Sequence, residues 1–203
     1  MDLRDIILLP RALYKKLTAK RVSLFIGIIL VGLIDMGFNI FIGYNSLFVG
    51  KSSMVTYFNI TLALVLVILM GFIDVVFFSV PMFDLFKHFK MEKGIGDYSQ
   101  QLVKLMKVYI CANFLVLPLN ILLYITFRSY EFGSSFTLAA LAYFVVFLPA
   151  IWASAAIARG VNEIYSFIQP LKKVVFLIVF LWSMILGLIL NYMIERWFML
   201  LFK

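Results

Sequence analysis

Residues 54–80 read MVTYFNITLALVLVILMGFIDVVFFSV, and this stretch decides the fold class of the chain. Asp74 is its only charged side chain. The hydrocarbon core of a bilayer is about 30 Å thick, so a spanning helix needs about 20 mostly apolar residues. The stretch is long enough, and it lacks the two-residue alternation of a membrane barrel strand. We therefore predict a membrane-spanning helix here.

Four further apolar stretches meet the same test. The predicted spans lie at about residues 22–44, 54–80, 105–127, 134–158 and 174–194. Hydrophobic residues make up 65% of the 203-residue chain and charged residues 14%, whereas soluble domains are about 45–50% apolar and about 25% charged. Only helices and closed barrels satisfy the backbone in lipid. The sequence thus predicts an all-α fold, a single polytopic transmembrane helical bundle over residues 1–203.

The positive charges predict the orientation of this bundle. Most of the 18 lysines and arginines fall before span one, between spans two and three, and between spans four and five. Positive loops stay on the cytoplasmic side of a membrane. With five spans, the N-terminus is then cytoplasmic and the C-terminus outside. The net charge of +8 is thereby explained by topology, and no nucleic-acid partner is predicted.

The segment before span one interleaves apolar and basic residues. Residues 1–21 are predicted to lie as an amphipathic segment in the cytoplasmic interface, with lipids as partners and a break at Pro10. Residues 82–107, after a predicted helix end at Pro81, have a similar composition. Cations near anionic headgroups gain electrostatic energy. The predicted headgroup contacts are Arg11, Lys15, Lys16, Lys20, Arg21, Lys87 and Lys90.

Polar side chains inside the predicted spans form a candidate polar seam. Its members are Asp35, Asn39, Asp74, Asn113 and Asn120. A carboxylate at membrane depth costs roughly 2.5–3.5 kcal/mol on insertion scales, and it usually faces a cavity or a partner. One interpretation is a site for an ion, a proton or a small solute. The other, which the sequence alone favours, is interhelical hydrogen bonding.

Two prolines fall inside predicted spans. Pro118 and Pro149 are predicted to kink spans three and four, because proline lacks the backbone N–H. Such breaks form binding sites in transporters, although many serve architecture only.

Motifs of catalysis and metal binding are missing from the sequence. It has one histidine, His88, and one cysteine, Cys111, and neither has companions for a metal site. Neither a nucleotide-binding loop nor a hydrolase signature is present. We therefore predict a protein that is not an enzyme, with no catalytic residues, metal or cofactor.

Three segments resemble a known family. They are DIILLPRALYKKL at residues 5–17, FLVLPLN at 114–120, and IWASAAIARGVNEIYSFIQPLKKVV at 151–175. The chain resembles the Yip family of five-span membrane proteins, in its bacterial-type branch. The resemblance implies five helices and a cytoplasmic N-terminus. Eukaryotic members are linked to vesicle traffic and small GTPases, but their Asp-Leu-Tyr-Gly-Pro motif is absent here. The resemblance therefore implies fold more than activity.

Three functions remain open from the sequence. The favoured one is a Yip-like membrane protein of the bacterial cytoplasmic membrane that organises lipids or partner proteins, including copies of itself. The alternative is a small channel or transporter that uses the polar seam. A third is an intramembrane enzyme, for which Asp35 and Asp74 are the only paired acids. A continuous polar cavity would favour transport, and a tightly packed bundle would favour the organising role.

Overall fold

A computed structural model describes residues 5, 7–89, 98–127 and 136–202. Within them the chain is helical, without strands, and the all-α prediction is confirmed. In chain order the helices are α1 (Arg11–Lys16), α2 (Arg21–Ile42), α3 (Tyr44–Phe48), α4 (Ser53–Phe89), α5 (Tyr98–Phe127), α6 (Phe136–Tyr165) and α7 (Gln169–Met193). A π-helical turn at Ile194–Phe198 and a 3₁₀ turn at Met199–Phe202 follow.

Among the described residues, four stretches of helix are long and apolar enough to cross a membrane: Arg21–Ile42, Ser53–Phe89, Tyr98–Thr126 and Gln169–Phe202. Many large apolar side chains on their outer faces are exposed, several by more than half, as is typical of lipid-facing residues. Helix α6 covers most of the fourth predicted span, whose first residues, 134 and 135, lie outside the described residues. The number of five spans and the orientation of the termini stay predictions.

Helices α2 and α4 run antiparallel and touch backbone to backbone. A Cβ atom added to Gly32 would collide with the carbonyl oxygen of Val67, and one added to Gly71 would collide with that of Ile28. Glycine at both positions permits this approach, as small residues do between membrane helices. Asp35 follows Gly32 by three residues and Asp74 follows Gly71 by three residues. The contact therefore fixes the positions of both carboxyl groups along the axis of the bundle.

The remaining helices surround this pair. Helix α5 packs against α2, α4 and α6, while α7 packs against α4 and α6. The short helix α1, from the predicted amphipathic segment, packs on α6. Its Tyr14 is buried, with the hydroxyl 3.0 Å from the carbonyl oxygen of Ala156, to which it can donate. Gly160 makes room for this ring, since a Cβ there would lie 2.8 Å from Tyr14 Cε1.

One predicted helix end is wrong. Helix α4 continues through Pro81 to Phe89 instead of stopping at the proline. Pro81 has no N–H to donate to the carbonyl of Phe77, which would be its partner in a regular helix. The Trp182 Nε1 atom, on α7, donates to that carbonyl at 3.3 Å. The lost bond is replaced from a neighbouring helix, so α4 can continue.

The second basic segment is predicted at residues 82–107. Its described residues form the end of one long helix and the beginning of the next. Residues 82–89 close α4, and α5 begins at Tyr98 instead of near residue 105. Likewise α7 begins at Gln169, ahead of the predicted 174. Apolarity marks the lipid-crossing part of a helix, whereas the helix itself extends into the polar region beyond it.

Candidate functional site

A cavity of about 360 Å³ lies between the long helices. It is lined by residues of α2, α4, α5, α6 and α7 together with the turn after α7. All five residues of the candidate polar seam line it: Asp35, Asn39, Asp74, Asn113 and Asn120. Pro149 also lines it, whereas Pro118 is exposed on α5 and does not. A volume of 360 Å³ is within the range of small-molecule pockets, about 300–1,000 Å³.

The cavity is elongated along the bundle. Tyr109 and Asn120 both line it from α5, and at about 1.5 Å per residue they lie roughly 16 Å apart along the helix. At the Asn120 end, the lining residues Asn39 and Asn191 lie within one turn of the last residues of α2 and α7. This end of the cavity therefore lies near the end of α2, whereas α5 and the helical turns after α7 continue beyond it, to Phe127 and Phe202.

Asp74 marks the other, closed end. Its side chain is buried, with 2% of the residue surface exposed, and the Tyr109 hydroxyl donates to its Oδ1 at 2.8 Å. The Tyr109 ring stacks on Phe78, with centroids 4.0 Å apart. Beyond this pair, Met82 and Leu105 are buried in the core. Packed side chains thus separate Asp74 from the end of the bundle where α1 lies.

Asp35 has an unsatisfied carboxyl oxygen. Its Oδ2 is enclosed and has no hydrogen-bond partner among the described residues. Asn39, one turn further on, donates from Nδ2 to the backbone carbonyl of Asp35 at 3.3 Å and not to the carboxyl group. The hydroxyl of Ser183, another lining residue, is also enclosed without a partner in the described structure. Buried polar atoms are normally paired, so these two enclosed oxygens are unsatisfied polar groups of the residues that line the cavity.

The composition of the lining determines what the cavity can bind. It contains two carboxyl groups and several amide groups, and none of its lining residues is basic. Such a surface attracts cations and protons, and carboxylate and amide oxygens are ligands of hard cations. No group of three or more His, Cys, Asp or Glu among the described residues could hold a tightly bound metal.

The sequence reasoning missed Tyr109 and Ser183. Tyr109 lies four residues before Asn113, on the same face of α5, and donates to Asp74. That spacing was a usable signal. Ser183 lies four residues before Gly187 on α7, and its place in the cavity depends on how α7 packs, which no sequence pattern defines.

The predicted headgroup contacts have varied surroundings. Arg11 Nε lies 3.2 Å from Glu163 Oε1, and Lys15 lies 4.0 Å from the other oxygen of that carboxylate. Lys87 pairs with Asp84 on its own helix, and that pairing lowers the pKa of the Asp84 carboxyl. The side chains of Lys16, Lys20 and Arg21 are exposed, and Lys90 lies outside the described residues. Contact with lipid stays a prediction for all of them.

No protein-family model matches the chain, and no curated protein or solved structure matches it either. The resemblance to the Yip family therefore stays a prediction. The class that the fold defines is a helical bundle whose long apolar helices are compatible with an integral membrane protein.

Proposed function

We propose that this protein is a small non-enzymatic transporter or channel that binds a proton or a small cation in the cavity between its helices. One observation carries the proposal: the carboxyl groups of two predicted spans line a single cavity, and the Asp35 Oδ2 atom has no hydrogen-bond partner among the described residues. The organising role favoured by the sequence does not require such a cavity. Carboxyl groups at membrane depth usually mark ion or proton paths.

The geometry supports a half-passage. An ion entering at the end near Asn120 would pass amide groups, then Asp35, and reach Asp74 beside Tyr109. The stacked pair of Phe78 and Tyr109 closes the passage further in. A passage that opens at the Asn120 end while Asp74 stays closed off would match one of the two states of alternating access. With the N-terminus cytoplasmic, as the charge distribution predicts, this half-passage faces outward.

The residues have distinct roles in the proposal. Asp35 and Asp74 carry the charge that binds the cation or proton, and Asn113 and Asn120 replace part of its hydration shell. Tyr109 is a positioning residue, because its hydroxyl holds the Asp74 carboxyl. Pro149, which lines the cavity, has no N–H to donate to the carbonyl of Val145 in its own helix.

The test is ion flux into proteoliposomes, with an enclosed pH-sensitive dye for protons and with sodium and potassium ions as further probes. We expect Asp35→Asn and Asp74→Asn to reduce flux to the level of empty vesicles. Asp84→Asn is the matched control, since Asp84 is an exposed carboxyl on the same helix as Asp74 and does not line the cavity. This control should transport normally.

Two results would contradict the proposal. One is equal flux from the three variants and the wild-type chain. The other is the absence of flux for all three ions from wild-type protein that is inserted and fully helical. In that second case we would prefer the organising role. Its partners would be lipids, copies of the chain or other proteins of a bacterial cytoplasmic membrane. The exposed basic side chains of Lys16, Lys20 and Arg21 support that alternative.

A further inference from the structure

A second cavity, of about 620 Å³, lies where α6 ends and α7 begins. Arg11, Arg159 and Lys172 bring three positive charges to it, and Asp5 and Glu163 bring two negative ones. Arg159 pairs with Asp5, and Arg11 pairs with Glu163 at 3.2 Å. Lys172 is half-buried and has no ion-pair partner among the described residues. The cavity therefore keeps one positive charge that no side chain described there neutralises.

Asn162, which lines the same cavity, carries an acceptor without a donor. The Oδ1 atom of Asn162 is enclosed and has no hydrogen-bond partner in the described structure. A ligand that fits both features offers an anion to Lys172 and an O–H or N–H group to Asn162. Chloride supplies the first feature only.

The cavity also has an apolar wall. Ala155, Ala158 and Phe176 line it, and Phe176 lies one turn further along α7 than Lys172, toward the middle of that helix. A ligand held at Lys172 would thus have its polar part near the ends of the helices. The part of the ligand next to that polar group would contact apolar side chains. This is the order of groups in a phospholipid, from headgroup to acyl chains.

We propose that this cavity is a binding site for the headgroup of an anionic phospholipid of the phosphatidylglycerol type. The phosphodiester lies at Lys172, a glycerol hydroxyl donates to Asn162 Oδ1, and the first acyl carbons contact Phe176. The site is separate from the cavity of Asp35 and Asp74 and does not depend on transport.

The test is lipid titration of the delipidated full-length chain in detergent, followed by native mass spectrometry. Wild-type protein should bind phosphatidylglycerol at least about tenfold more tightly than phosphatidylcholine, because the choline ammonium of phosphatidylcholine cancels the charge of its phosphodiester, whereas phosphatidylglycerol presents a net negative charge to Lys172. Lys172→Gln should remove this preference, and Lys172→Arg should keep most of it. Lys173→Gln is the matched control: it removes the same charge from the next residue, which is exposed and does not line the cavity.

A second pair of measurements tests the hydroxyl. Asn162→Leu should weaken phosphatidylglycerol binding but leave binding of phosphatidic acid, which has no headgroup hydroxyl beyond its phosphate, within about twofold. The lipid assignment is overturned if Lys172→Gln and Lys173→Gln behave alike, or if phosphatidylglycerol binds no better than phosphatidylcholine. Displacement of the lipid by an equal concentration of soluble glycerol phosphate would also overturn it and would assign the site to a soluble phosphate ester.

Discussion

The backbone contact between α2 and α4 makes Gly71→Ala a sharp test of the fold. The added methyl group would lie 2.7 Å from the backbone nitrogen of Gly32 and would collide with the carbonyl oxygen of Ile28. Ordinary van der Waals contact is about 3.5–4.0 Å, and the collision with the Ile28 oxygen is the tighter of the two, so the helices must separate by at least about 1 Å. A gap of that size loses a quarter to a half of the dispersion energy along the interface.

The cost can be bounded. Overpacking of a close-packed site typically costs about 1–3 kcal/mol. The better helix propensity of alanine returns up to about 1 kcal/mol. Gly37→Ala gains the same propensity without a clash, because nothing lies within 4 Å of a Cβ atom there. We therefore expect Gly71→Ala to be less stable than Gly37→Ala by about 1–3 kcal/mol, with Gly37→Ala equal to or above wild type.

The assay is equilibrium unfolding of the full-length protein in mixed micelles of a mild detergent and sodium dodecyl sulfate, followed by circular dichroism. The double variant Gly32→Ala/Gly71→Ala adds a check, because the separation caused by the first methyl group also accommodates the second. Its destabilisation should be clearly smaller than the sum of the two single effects. Equal stability of Gly71→Ala and Gly37→Ala would refute the close contact.

Two further predictions concern single hydrogen bonds. Trp182→Phe removes the donor to the Phe77 carbonyl and should lower the free energy of unfolding by about 0.5–1.5 kcal/mol in the same assay. The loss should be much smaller in a Pro81→Ala background, where the backbone N–H returns. Equal losses in both backgrounds would contradict this explanation of how the helix continues through Pro81. Burial raises the pKa of Tyr14 above its usual value of about 10, so its contribution to stability is complete below pH 10 and is lost as the pH rises further. Tyr14→Phe should therefore flatten the loss of stability between about pH 10 and 11, and an unchanged slope would show that the ring does not stay buried against α6.

The helices could be predicted from the sequence because lipid imposes a simple requirement, a long run of apolar residues. Their ends could not, because they depend on contacts between helices. Pro81 is the clearest case: the rule that proline ends a helix is correct for an isolated segment. Here the Trp182 side chain, more than a hundred residues away along the chain, supplies the missing donor.

Some of the residues that line the cavity could be predicted from the sequence, but the way they come together could not. The spacing of Asn113 and Asn120 placed two amides on one face of α5, and Asp35 with Asn39 did the same on α2. Whether these faces point toward one another depends on how α5 packs against α2 and on the crossing of α2 and α4. Glycines are common in membrane helices, so the two that make this contact cannot be recognised without the partner helix. The role of Asp35 and Asp74 in transport stays a prediction.

The antiparallel contact at Gly32 and Gly71 has a mechanical consequence. Asp35 and Asp74 each follow their glycine by three residues, so they lie on opposite sides of the contact, about 9 Å apart along the bundle. The contact can then act as a pivot for the two helices, with one carboxyl group on each side of it. Any change in the tilt of α4 against α2 moves Asp74 in one direction, while the part of α4 that faces Asp35 moves in the other. A rocking motion too small to disturb the outer surface of the bundle would therefore change the surroundings of both acids at once, and in opposite senses.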